Sequence, residues 1–340
     1  MPSMSPQLKS IVSFAVRLVL SAGMLWLVAR GTNIQQVEKD LLTVSPAIFV
    51  LAVAILFAQT LVMNARWLLI MEAVGTPMRA IAGLRILLVS LWFNQTLPST
   101  VGGDLVRVWM LRAEGVSWGN SVKGVLADRV TALIGLVLLI TVGFPFLLAR
   151  IHDPRPILAI GSLALAGLAG TIVLITLDRW PARIRSIWPI SKFASLGFLI
   201  RFLLLGFRRR GVLLSTAILI HLMTTLTCFV LAEGLHAGLA VGDALLLIPP
   251  VILLSAIPIS ISGWGVRESA MVAGLTLVGV SPSTALATSV LLGLASVVIG
   301  LIGGAVWLTS RDRQRFAAEQ QSPIEREATG ATQSPSGETA

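Results

Sequence analysis

Charge is what this sequence has least of. Only 12% of its 340 residues are Asp, Glu, Lys or Arg, where a soluble domain carries about a quarter. Cysteine occurs once, as Cys228 within an apolar run, so a disulfide framework and a cysteine metal site are both excluded. No His-Glu-x-x-His, Gly-x-Ser-x-Gly or Walker A segment is present, and metalloprotease, serine hydrolase and ATPase chemistry therefore lack their usual parts. Gly263-Trp264-Gly265 follows no strand and is not a nucleotide loop. No catalytic set, metal or cofactor is expected.

What fills the chain instead is apolar. Hydrophobic residues make up 55% of it and the mean hydropathy is +0.88. Runs near the length of about 20 residues needed to cross a hydrocarbon core recur throughout. They fall at Ile11–Ala29, Pro46–Met71, Lys123–Ala149, Ile157–Leu177, Val212–Ala232 and Thr284–Leu308. The first is read as a retained helix rather than a signal peptide, because Arg17 interrupts it and no small-x-small site precedes Gly31. The net charge of +10 sits in loops and tails between these runs, a topological pattern rather than a nucleic-acid footprint.

Two further apolar stretches are interrupted. Residues 81–111 break at Leu97-Pro98-Ser99-Thr100-Val101-Gly102-Gly103, and residues 243–280 break from Ile257-Pro258 to Gly265. Proline removes a backbone donor and glycine disfavours helix, so each stretch is expected to form two short arms joined by irregular backbone. The expected fold is thus an all-α polytopic membrane protein, with six full transmembrane helices and two broken re-entrant hairpins. The most basic internal segment, residues 178–211, carries seven further basic residues beyond Arg179 against Asp178 alone and is expected to be cytoplasmic. Its apolar part, Phe193 to Phe207, is either a plain linker or an amphipathic helix on the anionic leaflet. Arg311, Arg313 and Arg315 place the C-terminus in the cytoplasm, and Lys9 and Arg17 place the N-terminus there. Residues 1–310 form the membrane domain, and 311–340 have too little apolar surface to fold.

The two breaks resemble each other. Pro98 aligns with Pro258, Thr100 with Ser260, Val101 with Ile261, Gly103 with Gly263, Val106 with Val266 and Arg107 with Arg267, at a constant offset of 160 residues. Internal symmetry between interrupted segments is the mark of an inverted-repeat transporter. A helix restarting after Gly103 or Gly263 aims free N–H groups and a positive dipole end at the break. With Arg107 and Arg267 one turn further on, each break is suited to a phosphate or carboxylate. The candidate headgroup-binding set is Arg107, Arg267, Gly102, Gly103, Gly263, Thr100, Ser260 and Asn94. Asn94 either caps loose backbone or meets a headgroup.

The plainer alternative pairs Arg107 with Asp104 three residues back and Arg267 with a neighbouring acid. Asp104 and Glu268 are either counter-charges or proton-coupling groups. Asp128 and Arg129 are either an interfacial salt pair or the lining of a cytoplasmic entrance. Arg66 with Trp67 reads as an interfacial anchor, and His221 as a hydrogen-bonded packing group.

Asn94 to Asp104 with Arg107, Ala127-Asp128-Arg129, and Pro258 to Glu268 together resemble the flippase-like membrane domain of lysylphosphatidylglycerol synthases, over about residues 8 to 310. That family includes stand-alone members, some tied to hopanoid or envelope glycolipid pathways. The resemblance implies that a lipid with a polar, phosphate-bearing headgroup is moved across a bacterial inner membrane. It implies as partners a membrane lipid, the anionic membrane surface, and envelope-biosynthesis enzymes or a second copy of the chain. A short tail stands where the synthase carries its aminoacyl-transfer domain, so transferase activity is not expected. The alternative function is a membrane enzyme or subunit modifying lipid headgroups, with Asp104, Asp128 and Glu268 as its acid–base candidates.

Overall fold

The structure is a computed structural model describing residues 6–97, 102–185, 187–188, 190–257, 263–310 and 313. Thr100, Ser260 and the prolines of both breaks lie outside the described residues, as does the tail beyond 313.

Among the described residues every regular element is helical. In chain order they are α1 (Pro6–Gly31), α2 (Ile34–Thr43), α3 (Pro46–Ala73), α4 (Ala80–Thr96), α5 (Gly102–Ala113), α6 (Trp118–Arg150), α7 (Pro154–Thr176), α8 (Ala182–Arg185), α9 (Ile190–Arg201), α10 (Arg210–Gly234), α11 (Val241–Ser255), α12 (Val266–Leu275) and α13 (Pro282–Thr309). The helices α3, α6, α7, α10 and α13 are long and apolar enough to cross a membrane. They match five of the six expected spans; α1, 26 residues long, covers the remaining one, and its part from Leu18 to Gly31 is a shorter apolar helix. Their surfaces are apolar on the side away from the protein as well as toward it, as bilayer contact requires.

Capping fixes several boundaries. Ser117 accepts a hydrogen bond from the Asn120 N–H, which starts α6 five residues before the expected Lys123. Asp153 and Ser281 cap α7 and α13 in the same way, each followed by proline in the first turn, where its missing N–H costs nothing. Pro249 and Pro250 lie inside α11 without ending it; proline is tolerated in membrane helices where neighbours satisfy the freed backbone.

Both interrupted stretches fold back on themselves. In the first, α5 returns along α4, and Arg85 near the start of α4 forms an ion pair with Glu114 just past the end of α5. In the second, α12 returns along α11, and Leu247 and Val278 meet in an apolar cluster at its open end. Each hairpin therefore has a tip at its break and a mouth where its arms diverge.

Two equivalent units result, α3–α6 and α10–α13. The helices α3 and α10 pack antiparallel along their lengths. Gly234 at the end of α10 lies against Ile48 at the start of α3, Gln59 bonds Thr224 midway, and Glu72 pairs with Arg209 at the other end. Each hairpin's first arm packs on the last helix of the other unit, α4 on α13 and α11 on α6. These exchanged contacts and the antiparallel α3–α10 pair make the repeats inverted.

Small residues permit the close crossings. Gly303 in α13 faces the Leu88 backbone of α4, and Gly143, its counterpart 160 residues earlier in α6, faces Leu246 of α11. Gly304 lies against the Trp92 ring and Gly300 against the Gln95 stem.

In the basic segment, α9 buries Leu196, Leu199 and Ile200 against Leu69, Ile70 and Ala127, while Phe193 and Phe198 stay exposed. It is an amphipathic helix docked on the bundle.

Candidate functional site

The first hairpin's arginine is buried. Arg107, on α5, is 4% exposed and lies with its guanidinium 4.2 Å over the Trp67 ring of α3. Its Nη1 donates to Asp128 Oδ2 at 2.9 Å, and Arg66 Nε donates to Asp128 Oδ1 at 3.0 Å. Two guanidiniums from α5 and α3 thus share one carboxylate from α6. Asp104 stands 4.0 Å from Arg107, but its stronger partner is Arg129, whose Nε donates at 2.8 Å. The Arg107–Asp104 pairing foreseen at three residues' spacing is present, but only as the weaker contact.

Donors remain unspent. Arg107 Nε, Arg107 Nη2 and Arg66 Nη1 are buried and have no hydrogen-bond partner among the described residues. Burying a charge without a partner is costly, and here two cations surround one anion. The arrangement favours arrival of a further anion, and the free nitrogens match the several acceptor oxygens of a phosphate.

Two expectations are corrected here. Arg66 is no interfacial anchor: it is 2% exposed and points into the protein. Asp128 and Arg129 do not pair with each other, because neighbours on a helix point about 100° apart; Asp128 faces α3 and α5, and Arg129 reaches Asp104. His221, as expected, packs by hydrogen bond, its Nε2 lying 2.9 Å from the Ala132 carbonyl oxygen of α6.

The hairpin tip is built around Gly103. A Cβ there would overlap the Ser90 carbonyl oxygen and the Asn94 side chain, so glycine lets α5 begin directly against α4. Asn94 Oδ1 accepts from the Gly103 N–H at 3.1 Å, which is the capping use of Asn94. Gly102 opens the same helix and is buried.

The second hairpin resolves its charge locally. Arg267 donates from Nη2 to Glu268 Oε1 at 2.6 Å and from Nε to Ser289 Oγ at 3.1 Å. Glu268 is fully buried, and its Oε2 accepts from the Gly265 N–H at 2.6 Å, closing the first turn of α12. The Arg267 guanidinium lies 4.8 Å over Trp264 and packs against Gly293 of α13, where a side chain would strike it. The helix restarts at Val266 rather than directly after Gly263. Gly263 and Gly265 both have positive φ, at 80° and 87°, and α1 packs so closely on Gly265 that a Cβ would stand 2.8 Å from the Ser21 carbonyl oxygen.

No group of three or more potential metal-ligating side chains occurs among the described residues. The carboxylates Asp104, Asp128 and Glu268 are all held by arginine.

Each inverted hairpin thus carries an arginine on its returning arm, Arg107 past the first turn of α5 and Arg267 directly after the first residue of α12. Residues 14–304 match the family described as Lysylphosphatidylglycerol synthase TM region. The chain belongs to this family. No curated protein matches it. A lysylphosphatidylglycerol synthase TM region is a multi-pass membrane domain, in agreement with the helices found here.

Proposed function

We propose that this protein moves a lipid with a phosphate-bearing headgroup between the leaflets of a bacterial inner membrane. The observation that carries the reading is the buried Arg66–Asp128–Arg107 cluster, with its surplus of positive charge and its three unpartnered nitrogens. Ionisable groups at membrane depth are expensive and are retained where they handle polar cargo. A phosphate arriving at this cluster supplies the missing acceptors while Asp128 keeps the two arginines in place.

Both hairpins enter the bilayer and return to the face they came from, the first from the cytoplasm and the second from outside. The folded-back arms support this, as does the Arg85–Glu114 pair at the first mouth. With the hairpins counted as re-entrant, six crossings leave both termini in the cytoplasm. The headgroup site has to open for a lipid to reach it, since the free nitrogens are buried in the present conformation. Rocking of one inverted unit against the other provides that motion. Arg267, neutralised by Glu268, receives the headgroup on the other side.

The test is lipid movement in vesicles containing the purified protein, followed with tail-labelled anionic phospholipids. Loss of a charged hydrogen bond costs roughly 1.5–3 kcal/mol, so Arg107→Ala and Arg66→Ala are each expected to slow movement by about tenfold or more. Movement at the wild-type rate in both variants would falsify the headgroup role.

A further inference from the structure

A cavity of about 210 Å³ lies between the two inverted units, walled by α3 and α4 of the first and α13 of the second. Its lining combines apolar residues such as Leu91 with Gln59, Thr60, Gln95 and Ser296, and it contains no charged side chain.

Its position is informative. Along α3, Trp67 carries the Arg107 guanidinium; Met63, one turn back, packs with Trp67 and also lines the cavity; Gln59 and Thr60 follow one turn further. Along α13, Gly293 receives the Arg267 side chain, and Ser296, about one turn on, lines the cavity. Gln95 enters from α4, just before the tip of the first hairpin. The cavity thus lies between α3 and α13, the helices against which the two arginines pack, a turn or two from the residues that they touch.

Its hydrogen-bonding capacity is mostly unused. The Gln95 carboxamide makes no hydrogen bond among the described residues and can both donate and accept. Thr60 and Ser296 each give their hydroxyl proton to a carbonyl four residues back, leaving lone pairs on the oxygen. Gln59 donates its amide to Thr224 of α10, and its Oε1 is buried without a partner. A buried acceptor without a partner, as Gln59 Oε1 is here, is ordinarily satisfied by protein, water or ligand. With no carboxylate to receive an ammonium and no basic group to receive a phosphate, the chemistry that fits is an uncharged group carrying hydroxyls.

We infer that this cavity is a subsite for the uncharged, hydroxyl-bearing part of the cargo headgroup, separate from the arginines that take its phosphate. The inference rests on the lipid-moving reading above and deepens it. A headgroup with a diol beyond its phosphate fills both places; one ending at the phosphate fills only the first. A cationic headgroup gains no ion pair in the cavity.

The experiment uses the full chain in two ways. In detergent, native mass spectrometry reads retention of phosphatidylglycerol, phosphatidylethanolamine and phosphatidic acid with matched tails, offered in equal amounts. In vesicles, the same lipids with labelled tails report movement. Retention of phosphatidylglycerol severalfold above the other two is expected. Gln95→Leu and Ser296→Ala should remove that preference, and they should slow phosphatidylglycerol movement severalfold while leaving phosphatidic acid unchanged. Arg107→Ala should weaken all three lipids together. Equal retention of the three lipids by the wild type, or an unchanged preference in both cavity variants, overturns the subsite. The outcomes separate cleanly: a preference in retention that the cavity variants abolish, with no lipid moved in vesicles, sinks the transport reading and leaves the subsite standing. Gln95→Glu serves as a folding control of similar shape, and its added charge should shift retention toward phosphatidylethanolamine.

Discussion

The two hairpins share a backbone plan and differ in how they settle the charge at their tips. In the first, Arg107 reaches across to Asp128 on α6 and shares it with Arg66 on α3. In the second, Arg267 turns to the adjacent Glu268 and to Ser289 on α13. The sequence offset makes the substitution explicit: Val108 stands where the second unit has Glu268, and Thr288 stands where the first has Asp128. The acid has moved from the neighbouring helix to the hairpin itself, and the second unit has Leu226 at the position equivalent to Arg66, so it lacks the second arginine. One tip is left short of negative charge and the other is balanced. A symmetrical scaffold can thus present two unlike ends to one cargo, with stronger anion attraction at the first.

That difference is broken most severely at the acids. Asp128→Asn removes the only carboxylate shared by two buried guanidiniums, a change expected to cost about 3–5 kcal/mol. Glu268→Gln strips one partner from an arginine that is 15% exposed and keeps Ser289, so a smaller loss is expected. Thermal unfolding of the purified variants in detergent checks the order. Equal shifts in the two would mean that the tips are energetically alike, whatever their geometry.

The crossings of the exchanged arms sharpen the comparison next. Gly303→Ala would drive a Cβ into the Leu88 backbone, which has nowhere to yield, and overpacking of this kind costs about 1–3 kcal/mol. The equivalent Gly143→Ala meets only the Leu246 methyl end at 3.2 Å, a flexible side chain that can move aside. A clear loss of stability is expected in the first variant and little in the second. A matching loss in Gly143→Ala would show the α6–α11 crossing to be as tight as α4–α13.

Much of this architecture was legible from residues alone, and what escaped has identifiable causes. Hydropathy locates the five long apolar helices because bilayer thickness imposes a length on apolar runs. The matched breaks were found because proline and glycine leave a mark at fixed offset. The helix α2 went unforeseen: it is a short amphipathic segment, with a cap at Asn33, between two stronger signals. Arg66 gives no sequence signal of its role, because a basic residue near the end of an apolar run is normally an anchor, while its actual partner lies 62 residues away. Of the two readings open for Asp128 and Arg129, the salt pair between them fails because adjacent helical residues do not share a face. Pairings set by tertiary packing leave no local trace, and those pairings make the candidate site.

The hairpin mouths provide the mildest contrast. At the first, Arg85 and Glu114 are 32% and 40% exposed, so their ion pair is reached by solvent and should contribute about 0–1 kcal/mol. At the second, Leu247 and Val278 join Leu147 and Ile151 in an apolar cluster, and beside it Asp243 in the first turn of α11 accepts two hydrogen bonds from Arg150 at the end of α6, so that mouth is tied to the neighbouring span rather than across its own arms. Arg85→Gln is therefore expected to lower the unfolding midpoint only slightly, and the difference from wild type should fade at high salt as the surface pair is screened. A loss that persists in salt would place the pair in a buried seam rather than at an open mouth. The same two positions also test re-entry. Cysteines introduced singly at 85 and 114 in sealed vesicles should both react with a membrane-impermeant thiol reagent from one face, since the arms that carry them begin and end together. Labelling from opposite faces would make α4 and α5 a crossing, and the first hairpin would then no longer mirror the second.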